Sequence, residues 1–352
     1  MSFLDPKYRH LVPYVPGEQP KQTAVIKLNT NENPYPPAPG VEKAVQLAVQ
    51  QLAKYSDASC LQVRMPLAQY LGVAIEEVFV GNGSDEVLSL AFQAFMANGV
   101  AYPDITYGFY QVFADMYQIE AVVLPLKEDL TIDLNPYQSL SQTIVIANPN
   151  APTGLNVPAA SLEKLVKENP DRLVIIDEAY VDFGGESMVP YTKHYDNLLV
   201  IGTFSKSRQL AGARLGYAVG NQALIADLNR LKFAVNPYNV NALTLAAGAA
   251  SLADDTYFAA QVHKVIQVRE STKNELVELG FHVTDSAANF VFITHPHISA
   301  KVLQDQLRND QIYVRWFDQP LIENYLRVTI GTKTQMDIFI QSVQMILKEV
   351  TQ

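Results

Sequence analysis

The chain has 352 residues, more than a single hydrophobic core usually organises, so two domains are expected. Hydrophobic residues make up 48%, ample for a packed interior, and the net charge is −10, which speaks against nucleic acid or an anionic membrane as a partner. Cys60 is the only cysteine, which excludes an intrachain disulfide or a thiolate metal cluster.

The N-terminus, Met1-Ser2-Phe3-Leu4-Asp5-Pro6-Lys7-Tyr8, lacks the charged-then-apolar pattern of a signal peptide. No apolar run approaches the roughly 18 residues of a spanning helix, so a soluble cytoplasmic protein is expected. Residues 1–39 are rich in proline, from Pro6 to Pro39, which rules out a long helix. Leu11, Val12, Tyr14, Val25, Ile26 and Leu28 give this stretch apolar anchors, so it is expected to lie as an arm on another surface. Asn29-Thr30-Asn31-Glu32-Asn33-Pro34-Tyr35 has turn-forming composition.

Apolar spacing predicts helices over 40–54 and 61–71, with Tyr55 in the polar loop between them. Val78-Phe79-Val80 reads as a strand, followed by Gly81-Asn82-Gly83-Ser84-Asp85-Glu86. That is a flexible turn feeding a capped helix, and the N–H groups of such a helix start can hold a phosphate. Strands follow at 121–124 and 143–147, the second running into Asn148-Pro149-Asn150-Ala151-Pro152-Thr153-Gly154. A helix near 159–168 precedes the strand 173–176 and Asp177-Glu178-Ala179-Tyr180. A further strand over 198–202 leads into Thr203-Phe204-Ser205-Lys206, and Tyr217-Ala218-Val219 follows. Continuous apolar strands alternating with helices predict a mainly parallel sheet sandwiched by helices.

Beyond Pro237 the pattern changes. A long helical stretch over 241–279 is broken near Asp254-Asp255 and stopped by Gly280. Strands at 281–284, 290–294, 312–315 and 325–330, with helices near 299–309 and 334–349, predict a smaller α+β domain with an antiparallel sheet. The expected division is an arm over 1–30 packing on the small domain and a dimer partner, a large domain over 31–245 and a small one over 246–352.

Four polar clusters, 81–86, 148–154, 177–180 and 203–214, stand at strand ends, where an α/β protein builds its site. The last contains Ser205-Lys206-Ser207-Arg208-Gln209-Leu210-Ala211-Gly212-Ala213-Arg214-Leu215-Gly216. It resembles the cofactor-lysine segment S-K-x-x-x-L-x-G-x-R-x-G of aminotransferases that use pyridoxal 5′-phosphate (PLP). That cofactor needs a lysine for its aldehyde, a carboxylate for its ring nitrogen, donors for its phenolic oxygen, and hydroxyls, N–H groups and a cation for its phosphate. Lys206, Asp177, Tyr180 and the pair Ser205 and Arg214 supply these parts in turn. Arg327, a cation within an apolar strand, suits a substrate carboxylate. Taken alone, Asp177-Glu178 is also readable as a solvated strand end or a metal carboxylate pair, Tyr180 as core, and Arg327 as a surface residue. The chain lacks G-x-x-x-x-G-K-[ST] and G-x-G-x-x-G, which removes the nucleotide readings. His295-Pro296-His297 has no third ligand nearby, and no metal site is expected.

From about Pro13 to Thr332 the chain resembles PLP-dependent aminotransferases of the aspartate-aminotransferase fold, and within them the histidinol-phosphate aminotransferases. The resemblance rests on the arm Leu11-Val12-Pro13-Tyr14, the turn Asn31-Glu32-Asn33-Pro34, Gly83-Ser84-Asp85-Glu86, Thr106-Tyr107-Gly108-Phe109-Tyr110, Asp177-Glu178-Ala179-Tyr180 and the lysine segment. It implies that Lys206, Asp177 and Tyr180 are catalytic. It implies that Tyr55, Gly83, Ser84, Asp85, Tyr107, Asn150, Ser205 and Arg214 also bind the cofactor, Tyr55 that of the neighbouring subunit in a homodimer. Tyr107 would stack on the PLP ring. It implies substrate binding by Tyr14, Asn33, Arg315 and Arg327, with Arg327 on the amino-acid carboxylate and Arg315 on a distal phosphate. The substrates implied are glutamate, 2-oxoglutarate and a phosphorylated imidazole compound. Ala151 stands where the family has an asparagine on the phenolic oxygen, and Asn150 is taken as its replacement. Aromatic aminotransferases and threonine-phosphate decarboxylases are the alternatives, separated by products: CO₂ release without a keto-acid acceptor marks the decarboxylase.

Overall fold

The structure is a computed structural model and describes residues 3–21 and 25–350. Residues 1–2 and 22–24 of the expected arm, and 351–352 of the expected small domain, lie outside the described residues. In chain order the strands are β1 (Ile26–Lys27), β2 (Val78–Gly81), β3 (Val100–Pro103), β4 (Ala121–Leu124), β5 (Thr143–Ala147), β6 (Val174–Asp177), β7 (Leu198–Thr203), β8 (Gly216–Gly220), β9 (His282–Val283), β10 (Phe290–Thr294), β11 (Ile312–Tyr313), β12 (Arg315–Trp316) and β13 (Leu326–Thr329). The helices are α1 (Pro39–Val49), α2 (Leu61–Leu71), α3 (Ser84–Phe95), α4 (Phe109–Tyr117), α5 (Ala159–Glu168), α6 (Gln222–Val235), α7 (Ala242–Leu252), α8 (Asp255–Glu278), α9 (Ala300–Asn309) and α10 (Lys333–Val350).

Among the described residues the largest sheet has seven strands in the order β2-β8-β7-β6-β5-β3-β4. Only β8 runs against its neighbours. The loop from β7 to β8 contains no crossover helix, so the chain must return antiparallel. The inner strands are apolar on both faces because both faces are covered. Val145, Ile175 and Leu199 pack with Val87, Leu88 and Phe92 of α3. Their neighbours Ile144, Ile176 and Val200 pack with Leu162, Leu165 and Val166 of α5 on the other face. The chain is an α/β protein with a mainly parallel central sheet, as the alternation predicts.

A second, antiparallel sheet has the order β12-β13-β10-β9. Its core joins Val291, Leu326 and Val328 to Leu276 of α8, Leu303 of α9 and Phe339 of α10. Leu28 enters this same core from the N-terminal segment, while β1 pairs parallel with β11. Complete burial of a leucine stabilises by roughly 1.5–3 kcal/mol, enough to pin the segment here. Of the other expected anchors, Val12 is exposed.

Two expectations on helix limits differ in outcome. The break near Asp254 is present: α7 ends at Leu252, and the Asp254 side chain caps α8 by accepting from Tyr257 N at 2.9 Å. The helix expected to reach residue 54 stops at Val49 instead. Leu47, Val49 and Leu52 are exposed, so no packed face sustains further turns. β3, α4 and α6 are present beyond the expected elements. β3 is only four residues long and ends in Pro103, and α4 is rich in aromatic residues of modest helix propensity.

Candidate active site

Strand register brings the four polar clusters to one edge. Gly81 of β2 and Thr203 of β7 both pair with Gly216 of β8, Asp177 pairs with Ile201, and Ala147 with Asp177. The loops leaving these strands enclose a cavity of about 340 Å³, lined by Ser84, Asp177, Tyr180, Ser205, Lys206 and Arg214 among others.

Lys206 extends its amine into this cavity. Nζ donates to the Thr30 carbonyl at 3.3 Å and lies 5.8 Å from the centre of the Tyr180 ring. Burial, then the charge of Arg327, presses the ammonium down to about 8, against the pull of Glu32 and Asp85. The lysine backbone is fixed from behind, because Asn33 Nδ2 donates to the Lys206 carbonyl at 2.9 Å.

Asp177 closes β6 with a side chain that is almost fully buried. Oδ2 accepts from the Tyr110 hydroxyl at 2.8 Å, and Oδ1 from Ala179 N at 3.2 Å. Burial raises its pKa to about 6, although both hydrogen bonds oppose this. Among the described residues it forms no ion pair, so a bound cation would find a ready partner there. Tyr180, three residues on, is held by Asn31, whose Nδ2 donates to the phenolic oxygen at 2.9 Å. Asn31 in turn bonds through Oδ1 to Thr329 Oγ1 at 3.0 Å, tying the tyrosine to β13 of the second sheet.

The opposite corner is built for an anion. Gly83 opens α3 with φ +84, and a Cβ there would meet Arg214 Nη2 at 2.5 Å. Only glycine allows both the turn and the close approach of the guanidinium. The first N–H groups of a helix lack intrahelical partners, and Ser84 and Asp85 at the start of α3 line the cavity together with Ser205 and Arg214. Asp85 accepts from Arg214 Nη2 at 2.8 Å and from the Tyr107 hydroxyl at 2.7 Å, which steadies both.

A second cavity, of about 390 Å³, adjoins the first and shares Thr30, Tyr107, Ala151, Tyr180 and Lys206 with it. Tyr14, Arg315 and Arg327 line its far side. Tyr14 stacks on Phe109 with ring centres 4.4 Å apart.

Three expected site residues stand elsewhere. Asn150 lines neither cavity. Its Nδ2 donates to the Ile105 carbonyl at 3.0 Å, and its Oδ1 accepts from Thr106 Oγ1 at 2.8 Å. Its amide holds the turn together, and Ala151 is the residue that faces both cavities. Asn33 supports the lysine backbone instead of lining the substrate cavity. Tyr55 is 84% exposed and stacks on Tyr238 at 4.5 Å, outside both cavities of its own chain. Tyr110 and Asn31, to which the sequence pattern assigns no role, hold Asp177 and Tyr180.

Residues 23–343 match the family described as aminotransferase class I and II. The chain belongs to the class I and II aminotransferases. It is 48% identical over 351 residues to a histidinol-phosphate aminotransferase of Brachyspira hyodysenteriae, with 99% of each chain covered. It is 47% identical over 335 residues to histidinol-phosphate aminotransferase 1 of Bradyrhizobium diazoefficiens, covering 95% of this chain and 96% of the other. In fold it is similar to the histidinol-phosphate aminotransferase of Sinorhizobium meliloti solved in complex with pyridoxal 5′-phosphate, with a TM-score of 0.89, 22% identity and 99% coverage of each chain.

The aminotransferase also buries Glu178, directly beside Asp177. Its carboxyl accepts from Ser187 Oγ at 2.6 Å and from Met188 N, yet burial dominates and raises its pKa to about 8. The folded protein therefore holds this proton at pH values where the unfolded chain has released it. The resulting stabilisation is complete below the ordinary glutamate range and is lost as pH rises through about 8. Glu178→Gln keeps the shape and removes the titration. Thermal unfolding of both proteins across this range should show the Tm of the variant gaining on wild type by at least about 2 °C as pH rises. A constant difference would mean that Glu178 is ionised when folded.

Proposed function

We propose that this aminotransferase uses pyridoxal 5′-phosphate to move an amino group between glutamate or 2-oxoglutarate and imidazole-acetol phosphate or histidinol phosphate, a step of histidine biosynthesis. The observation that carries the substrate reading is the second cavity. Lys206, Arg315 and Arg327 line it, and among its described lining residues there is no carboxylate. Such a surplus of cations suits the doubly charged phosphate of imidazole-acetol phosphate as well as the two carboxylates of glutamate. Full-length identity of 44–48% to relatives bearing the name histidinol-phosphate aminotransferase supports the same reading.

The first cavity fits the cofactor in its donor set. Asp177 is a buried carboxylate without a cation, Lys206 is an amine readily freed of its proton, and α3 with Ser205 and Arg214 forms an anion corner. Bound PLP supplies an electron sink for the carbanion formed at the substrate Cα. Lys206 would hold it covalently and, once free, take the Cα proton as base and return it as acid. An amine titrating near 8 is well poised for both directions. Asp177, oriented by Tyr110, would keep the proton on the ring nitrogen. Tyr180, and not Asn150, would serve the phenolic oxygen, while Ser84, Asp85, Ser205 and Arg214 would hold the phosphate end and Tyr107 would stack on the ring. Arg327 would take the α-carboxylate of glutamate, and Arg315 with Tyr14 would take the phosphate of the imidazole substrate.

The exposed Tyr55 supports a homodimer in which it reaches the partner's cofactor. Leu47, Val49, Leu61, Met65, Phe233 and Val235, exposed at the ends of α1, α2 and α6, supply apolar surface for that interface. No helix among the described residues is long and apolar enough to cross a membrane, and we infer a cytoplasmic enzyme. The separate cores of the two sheets support domains over 31–245 and 246–352 with an N-terminal arm over 1–30.

Lys206→Ala should abolish the visible absorbance of lysine-held cofactor together with nearly all turnover. Normal turnover in that variant would end the scheme. Arg315→Ala should raise KM for imidazole-acetol phosphate roughly 10- to 100-fold, with a much smaller change for glutamate. Equal losses for the two substrates would remove Arg315 as the distal anchor.

A further inference from the structure

Arg315 and Arg327 face each other directly across β12 and β13. Like charges at directly opposed sheet positions are destabilising. Burial and the charge of Arg315 both press on Arg327, lowering its pKa. The chain does not relieve this with acids, since neither arginine forms an ion pair among the described residues. Arg315 Nη2 donates only to the Val15 carbonyl at 3.3 Å, and Arg327 Nη2 to the Asn29 carbonyl at 3.1 Å. Arg327 Nε is buried without a hydrogen-bond partner.

What the two guanidiniums share is Phe317. Its ring centre lies 5.5 Å from Arg315 Cζ and 5.4 Å from Arg327 Cζ. Phe317 stands two residues after Arg315, on the same side of the extended chain, and lines the same cavity. Phe292 backs the ring edge-on, with centres 6.4 Å apart. The negative face of an aromatic ring attracts a guanidinium without occupying its N–H groups. A carboxylate in this place would neutralise the arginines and use up their donors. The ring offsets their repulsion and leaves the donors for a ligand. The contacts are unequal, because Arg327 also lies 5.4 Å from the Phe290 ring, whereas among the described residues Phe317 is the one ring beside Arg315.

We propose that Phe317 is a specificity-determining residue, the aromatic spacer that holds Arg315 and Arg327 as two separate, uncompensated anion sites and so favours, among the substrates, the dicarboxylates with an anion at each end. This rests on the reading of the cavity as the substrate site. Loss of the ring should release Arg315 more than Arg327, so the distal end of a ligand suffers first.

The test is calorimetric binding of glutarate, with two carboxylates, and butyrate, with one, to the holoenzyme. Wild type should bind glutarate more tightly. Phe317→Leu, of similar bulk but without a π face, should weaken glutarate roughly five- to tenfold and butyrate by less than about twofold. Phe317→Tyr should retain wild-type discrimination, which a purely volumetric role would not require of it over leucine. Equal losses for both acids in Phe317→Leu, or no loss, would overturn the spacer role while leaving the two arginine sites standing. Wild-type enzyme that binds both acids equally would overturn the two-cation reading itself.

Discussion

The hydrogen bond from Tyr110 to Asp177 sits at the centre of this structure. It holds a carboxylate at the end of a buried strand, where among the described residues no cation pairs with it. Moving a carboxyl from its ordinary range to about 6 corresponds to roughly 3 kcal/mol of unfavourable environment. Bulk water would relieve that cost, but very little of the residue is exposed to it. A protonated ring nitrogen brought in by the cofactor would relieve it at the point where the carboxylate is already oriented. The strain on Asp177 is therefore the counterpart of the function, not a defect of packing.

Charge is sorted along the two connected cavities in a way that follows from this constraint. Acids stand at the first cavity, with Asp177 at one end and Asp85 steadying the anion corner. The charged residues lining the second are cations alone. Lys206 lies in both, and its amine is driven toward the neutral form by burial and by Arg327. The cationic surplus that binds substrate thus also prepares the lysine as a base. Replacing Arg327 would act on binding and on proton transfer together, whereas Arg315 is placed to affect binding mainly.

Much of the fold was legible in the residues. Continuous apolar strands such as Ile144-Val145-Ile146 implied a sheet covered on both faces, and the change of pattern after Pro237 implied the antiparallel second sheet. Strand-end logic alone grouped Lys206, Asp177, Tyr180 and Ser84. The residues that hold these in place were harder to find. Tyr110 is three positions after Tyr107, and Asn31 lies inside the turn motif, but a buried phenol or amide in a sequence does not state its partner. Asn150 is the converse case: the resemblance offered it in place of the amide missing at Ala151, while the turn spends that amide on Ile105 and Thr106. β3 and α6 were missed through short length and an undervalued apolar spacing at Ile225 and Leu228, not through any conflict of propensity.

The most direct test of this account is the protonation state of the cofactor ring nitrogen in the holoenzyme, read by NMR with ¹⁵N-labelled pyridoxal 5′-phosphate at neutral pH. If Asp177 is a buried carboxylate awaiting a cation, the nitrogen is protonated in wild type and loses its proton in Asp177→Asn. An unprotonated nitrogen in the wild-type enzyme would contradict the account at its centre.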